Sequence, residues 1–382
     1  MKRISTLILA ALLLAAAIPA AGAEEAGGLS LSCASALLME KETGTVLYDQ
    51  NSHQKLEPAS VTKIMTLLLV MEALDDGRLT SDDLVTVSAN AAGMGGSQVY
   101  LKEGEQMPVR ELIKCVTVVS GNDCAVALAE HLYGSEAAFV AEMNRKAQEL
   151  GMADTNFVNC TGLPADGHVT TAYDIALMSR ELILNHPDIR DYTTIWMDSI
   201  RDGTFGLTNT NRLIRFYAGA TGLKTGSTDS ALYCMSATAE RDGMELIAVI
   251  MKAPTSAQRF EDAKALLDYG FANYALVNVY PETPLAPVDV LLGTAAQVQP
   301  QLKEDCSLLV DKRQADQVTT KVTVAQDVEA PVDPGQTLGQ LEVYVGEELQ
   351  KTIPIVAAQG VDRLTVPGIF SRMLRQLLMA EG

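Results

Sequence analysis

Residues 232–239 and 244–251 are two β-type apolar runs separated by Arg241-Asp242-Gly243. Asp-Gly is the dipeptide that a two-residue hairpin loop favours, because both central positions take positive φ. An antiparallel pair is therefore expected in the middle of the chain. A second hairpin is expected at 36–39 and 46–48, with Lys41-Glu42-Thr43-Gly44 as its turn. A short strand is expected at 84–88. The remaining patterns before residue 275 are helical: 64–74, 109–118, 125–132, 136–150 with Gly151 as C-cap, 171–184 and 258–274. Near 277 this periodicity gives way to short β-rich stretches at 288–292, 306–310, 319–324, 339–345 and 351–356, with Asp333-Pro334-Gly335 as a turn. Strands at that spacing suggest a small sandwich or barrel.

Both ends of the chain carry their own signals. Lys2 and Arg3 precede an apolar stretch at 7–20 and an A-x-A site at 21–23, the pattern of a secretory signal peptide over 1–23. Removing it leaves 27 of the 29 basic residues against 48 acidic ones, a net charge of −21. So acidic a chain, without basic runs, is a poor partner for nucleic acid. At the other end, Ile369, Phe370, Met373, Leu374, Leu377 and Leu378 share one helical face opposite Arg372, Arg375 and Gln376. That stretch is too short to cross a bilayer, so a helix lying on a membrane surface is expected over 366–382. Six cysteines are scattered through apolar segments and read as buried free thiols. No C-x-x-C occurs and the four histidines lie far apart. Neither a metal nor a cofactor is expected.

The chemistry starts at Ser60 and Lys63, three residues apart ahead of the apolar run at 64–74. Residues three apart share a helix face, so the lysine lies over the serine hydroxyl. A serine needs a neighbour to take its proton before it attacks. A desolvated or cation-crowded lysine can do so. Two later segments add to the pair. Ser120-Gly121-Asn122 offers a hydroxyl and an amide in a turn between apolar helices, and Lys224-Thr225-Gly226 heads a β region with a cation, a hydroxyl and an approachable backbone. The order S-x-x-K, S-x-N, K-T-G is that of the penicillin-binding proteins and serine β-lactamases.

The resemblance is closer than three motifs. Residues 58–66 (PASVTKIMT), 96–101 (GSQVYL), 120–123 (SGND), 150–163 (LGMADTNFVNCTGL) and 222–229 (GLKTGSTD) resemble the low-molecular-mass penicillin-binding proteins that are D-alanyl-D-alanine carboxypeptidases. The similarity runs from about 34 to 275. The tail resembles that family's β-rich second domain more loosely, through Ala330-Pro331-Val332 and Gly335-Gln336, and the last helix resembles its membrane anchor. The resemblance implies an α+β fold. A catalytic domain over 24–276 would have an antiparallel sheet flanked by helices and an all-helical part, with a small all-β domain over 277–365 behind it. It implies an exported enzyme, secreted or on the outer face of the cytoplasmic membrane. The enzyme would cleave the terminal D-alanine from peptidoglycan stem peptides and be acylated by β-lactams.

Roles follow from the same resemblance. Ser60 is the nucleophile, Lys63 its base, and Ser120 a relay to the leaving amine. Lys224 keeps the field positive, and Asn122 binds the substrate amide. The backbone N–H groups of Ser60 and Ser227 form the oxyanion hole, next to Gly226. Thr225 and Arg259 grip the terminal carboxylate, a task suited to the arginine fork. Ser227 departs from the histidine that family members often carry after K-T-G, and His168 matches a family position but reads as a structural or loop residue.

Glu181 stands in an E-x-x-L-N string like that of the deacylating glutamate of class A β-lactamases, but on a helix with apolar neighbours and too far beyond Ser120. The stretch 219–225 brushes a phosphate loop, with Leu223 where glycine is required. Two alternatives to the peptidase stay open at this level: a serine β-lactamase on the same fold and a non-catalytic wall-binding protein.

Overall fold

The computed structural model describes residues 29–304, 306–370 and 373. The expected signal segment and most of the terminal amphipathic stretch lie outside the described residues. Five strands build the central sheet: β1 (Ser35–Glu40), β2 (Val46–Gln50), β3 (Ala220–Thr228), β4 (Leu232–Arg241) and β5 (Met244–Ala253). Their spatial order is β2-β1-β5-β4-β3, every pair antiparallel. Asp242 and Gly243 both take positive φ, 51° and 77°, between the paired residues Arg241 and Met244. This is the backbone that the Asp-Gly pair predicts.

β1 and β5 are apolar along most of their length because both of their faces are covered. Side chains alternate across a strand. Leu37, Met39, Ile247, Val249 and Met251 pack into the larger core with the helices α1 (Lys63–Asp75), α2 (Val109–Val118), α3 (Asn122–Tyr133), α4 (Glu136–Glu149) and α5 (Ala172–Asn185). Their neighbours Ala36, Leu38, Leu246, Ala248 and Ile250 pack against Phe260, Leu266 and Leu267 of α6 (Ser256–Asn273). α1 is buried on every side from Lys63 to Met71, as a helix that is hydrophobic all round must be. No helix among the described residues is long and apolar enough to cross a membrane. Side-chain caps start α4, α5 and α6: Ser135 accepts from Ala138 N, Thr171 from Asp174 N, and Thr255 from Gln258 N.

One strand departs from expectation. Lys224-Thr225-Gly226 lies inside β3, not ahead of the first strand of the hairpin. β3 is an edge strand and contains Gly222 and Gly226, which dilute the β pattern. The short hairpin Met197–Ile200 with Phe205–Thr208 was likewise not foreshadowed.

After α6 the chain turns to strands at once. β6 (Tyr274–Val279) pairs with β7 (Cys306–Asp311), so helix gives way to strand just before 277. β8 (Val318–Val324), β9 (Thr337–Val345) and β10 (Glu348–Ala357) form a sheet with Pro300–Leu302, and a three-stranded sheet lies beside it. Two small cores fill this part, one around Leu341, Val343, Ile353 and Ile355, the other around Val288, Val298 and Val332. All six cysteines are free and buried, as their apolar settings predict.

Candidate active site

The site forms where the start of α1, the start of α3 and the edge strand β3 converge. Ser60 lies in a 3-10 turn over Ala59–Thr62 that runs directly into α1. This places Lys63 Nζ 3.0 Å from Ser60 Oγ. The ammonium is fully buried and makes two further contacts, to Asn122 Oδ1 at 2.6 Å and to the Thr161 carbonyl at 2.7 Å. Burial pulls the Lys63 pKa down to about 7.

Ser120 sits in the left-handed region, φ 65°, at the turn between α2 and α3. Its hydroxyl accepts from Lys224 Nζ at 2.9 Å, and Lys224 also donates to the Thr225 carbonyl at 2.9 Å. Lys224 is as buried as Lys63. Its pKa lies well below the usual value, first through burial and then through repulsion from Lys63 and Arg259. Burial is the first cause for both lysines, and Lys63 adds to the lowering at Lys224.

Asn122, the first residue of α3, is held on three sides. Besides Lys63, its Nδ2 donates to the Gly95 carbonyl at 2.7 Å and its backbone N–H to the Ser97 carbonyl at 2.7 Å. The adjacent Asp123 is wholly buried. It accepts from Val99 N and Leu101 N through Oδ2, and from Cys124 N through Oδ1. A single carboxylate thus pins the 95–101 loop to the start of α3.

β3 presses its backbone against Ser60. A Cβ on Gly226 would lie 2.8 Å from Ser60 N and 2.9 Å from both Pro58 O and Val61 N. Only glycine lets the strand pass this close. Thr225 Oγ1 donates to Thr210 Oγ1 at 2.7 Å, and Ser227 is exposed at the rim.

Arg259 reaches the same strand from below. The fork expected to take a carboxylate holds carbonyls instead: Nη1 donates to Gly226 O at 3.1 Å and Cys234 O at 3.3 Å, while Nη2 donates to Ser256 Oγ at 3.3 Å. Its Nε is buried without a partner, and the side chain is almost wholly covered by Tyr233 and Phe260. Burial lowers its pKa to about 10.

Glu181 is not in this site. Its carboxylate lies within 4.8 Å of Glu72 and His186. Glu72 is nine residues along α1 from Lys63, roughly 13 Å of helix, and Lys146 pairs with it at 2.7 Å. Thr161, Gly162, Asp123 and Thr210 carried no role in the sequence reading. The first two fall in the 150–163 segment that carries the resemblance, which was the available signal.

The description D-alanyl-D-alanine carboxypeptidase matches residues 21–255, and that of the C-terminal domain of penicillin-binding protein 5 matches residues 274–363. The chain belongs to the D-alanyl-D-alanine carboxypeptidase family. It is 40% identical over 372 residues to D-alanyl-D-alanine carboxypeptidase DacF of Bacillus subtilis, covering 95% of each chain. Penicillin-binding protein 5 of Haemophilus influenzae matches in structure with a TM-score of 0.74 at 28% identity, over 88% of this chain and 99% of that one. Penicillin-binding protein D2 of Listeria monocytogenes, in its ampicillin-bound form, matches with a TM-score of 0.59 at 36% identity, over 64% of this chain and 99% of that one. Membership of this family makes the protein a serine-type carboxypeptidase.

The tight approach of β3 yields a test. Gly226→Ala forces the strand or the Ser60 turn to move. A misplacement of about 1 Å costs on the order of a hundredfold in rate. The rate of covalent labelling by a fluorescent penicillin should fall by about that factor, while the melting temperature moves by only a few degrees.

Proposed function

We propose that this carboxypeptidase is exported and removes the terminal D-alanine from peptidoglycan stem peptides through an acyl-enzyme on Ser60. The observation that carries the reading is the contact between Lys63 and Ser60, with no imidazole or carboxylate touching either group among the described residues. Ser60 Oγ attacks the carbonyl of the penultimate D-alanine while its proton passes to Lys63. The tetrahedral oxyanion forms beside the backbone N–H groups of Ser60 and Ser227. Such donors are worth about 3 kcal/mol each. As the C–N bond breaks, the proton that Lys63 took from Ser60 passes to the leaving amine by way of Ser120, and the released D-alanine carries it, while Lys224 keeps its charge. Water then hydrolyses the ester and restores Ser60.

Thr225 and the positive field of Lys224 receive the substrate's terminal carboxylate. Arg259 contributes from beneath β3, through the Gly226 carbonyl that it holds. Asn122 orients Lys63 as well as the substrate amide, since its Oδ1 faces the ammonium. β-Lactams acylate the same serine, as the ampicillin-bound relative suggests. The residues 24–276 act as the catalytic unit and 277–365 as the β-rich unit behind it. Export agrees with a family whose substrate is the cell wall and with the signal-like segment at 1–23. For membrane docking, the support is the apolar approach to the C-terminus. Val366, Phe370 and Met373 are 81%, 69% and 58% exposed within eight residues of one another.

Three measurements test this reading. After incubation with penicillin, mass spectrometry should place a stable adduct on the peptide containing Ser60, and a pentapeptide should release D-alanine. Ser60→Ala should do neither. Penicillin turnover within seconds would mean a β-lactamase, and equal pentapeptide binding by Ser60→Ala with no release by either form would mean a binding protein.

The acylation rate should rise with pH through about 7, because Lys63 must lose its proton to act as base. Lys63→Arg, which cannot lose it, should be slower by roughly 10²–10⁴-fold. Deleting 366–382 should shift the protein from the membrane to the soluble fraction with peptidase activity nearly intact. An unchanged distribution would refute the docking.

A further inference from the structure

His168 lies outside the cleft, 3% exposed and edge-on to Phe157. Its hydrogen bonds nevertheless end beside the nucleophile. The backbone N–H of Val158 donates to His168 Nδ1 at 3.0 Å. Nδ1 is therefore the acceptor nitrogen, and in a neutral ring the proton must sit on Nε2. Nε2 lies 2.8 Å from Thr62 Oγ1. That hydroxyl has a single proton, and it goes to the Ala59 carbonyl at 2.8 Å. The direction is fixed at every step: Val158 N–H to Nδ1, Nε2–H to Thr62 Oγ1, and Thr62 O–H to Ala59 O.

The end of that chain is a strained residue. Ala59 has φ 49°, in the left-handed region that side chains other than glycine avoid, and it directly precedes Ser60. Such a conformation persists only where the surroundings over-determine it. Here a second element reaches the same carbonyl. Gly162 has φ 81°, and a Cβ there would lie 1.8 Å from Ala59 O and 2.8 Å from Thr62 Oγ1. The next carbonyl back, that of Thr161, holds Lys63 Nζ. One loop therefore touches the carbonyl before the nucleophile and also the base. His168 anchors the other side.

We propose that His168 is a positioning residue for the nucleophile: through Thr62 it holds the Ala59 carbonyl in its left-handed setting and so fixes Ser60 Oγ against Lys63 Nζ. This rests on Ser60 being the acylated residue. A neutral ring is required, because an imidazolium would turn an N–H toward the N–H of Val158. Burial keeps the ring neutral, pulling its pKa down to about 4, with Glu57 the one nearby charge acting the other way. The arrangement therefore holds across the range in which Lys63 changes charge.

The test uses the full-length protein and a penicillin. Progress curves over a range of concentrations separate the binding constant from the acylation rate. Thr62→Val keeps the shape and removes the hydroxyl, and His168→Ala removes the ring. Each should slow acylation about tenfold, the upper end of one net hydrogen bond, and leave the binding constant unchanged. The double variant should be no slower than the slower single one, because both remove the same chain. Rates are taken per active site, from the final extent of labelling, so that partial misfolding does not count.

Losses that multiply in the double variant, or a His168→Ala rate within twofold of wild type, would overturn the proposal. So would ¹⁵N spectra showing the ring protonated on Nδ1 between pH 5 and 8. Wild-type protein carrying no adduct on Ser60 would instead refute the reading on which the proposal rests.

Discussion

Two lysines, buried between helices and sheet edge and with no carboxylate partner among the described residues, set the terms for the rest of the site. Taking an ammonium out of water is costly unless polar groups replace the solvent. Lys63 receives three such groups, from Ser60, Asn122 and Thr161, and Lys224 receives two, from Ser120 and Thr225. They come from four parts of the chain. The start of α1, the turn before α3, the 159–163 loop and β3 must all be in place before either lysine is satisfied. The helical part and the sheet are therefore joined by polar groups at this seam. The apolar cores on the two faces of the sheet make the layers stable, but these contacts set how the layers meet.

How much of this could be read from sequence depends on which atoms carry the contact. Ser60 and Lys63 were legible because one helical turn brings them together whatever else the fold does. Ser120, Asn122 and Lys224 were legible as residue types in a known order. Thr161 was not, because it acts through its carbonyl, which every residue has. Gly162 and Gly226 matter for a missing Cβ, and a glycine in a sequence does not reveal what presses against it. The Asp242-Gly243 turn was legible since its φ values are a local property. β3 was harder to place, because its two glycines weaken the β pattern at the edge where close approach is needed.

Arg259 marks the same limit from another side. Resemblance to a family arginine suggested a carboxylate clamp, and the guanidinium reaches β3. What it meets there are the Gly226 and Cys234 carbonyls. Its acceptors depend on how α6 packs under the sheet. That packing is set by Phe260, Leu266 and Leu267. A positive charge held under an edge strand still acts on whatever lies along that strand, so a role in carboxylate recognition does not require direct contact.

The charge balance of the cleft bears on how Lys63 comes to be a base. The chain as a whole is strongly acidic, with a net charge of −19. The cleft instead gathers Lys63, Lys224 and Arg259, each with a lowered pKa. Burial is the first cause in each case. A carboxylate arriving beside Lys224 and Thr225 supplies the missing counter-charge and favours a proton on Lys224. A charged Lys224 in turn makes a second ammonium at Lys63 less favourable. Under the proposed function, binding of a peptide with a free C-terminal carboxylate and deprotonation of Lys63 would then be linked. A substrate lacking that carboxylate would lose this link as well as a contact. On that reading the cationic cleft serves preference for a free C-terminus and the basicity of Lys63 together.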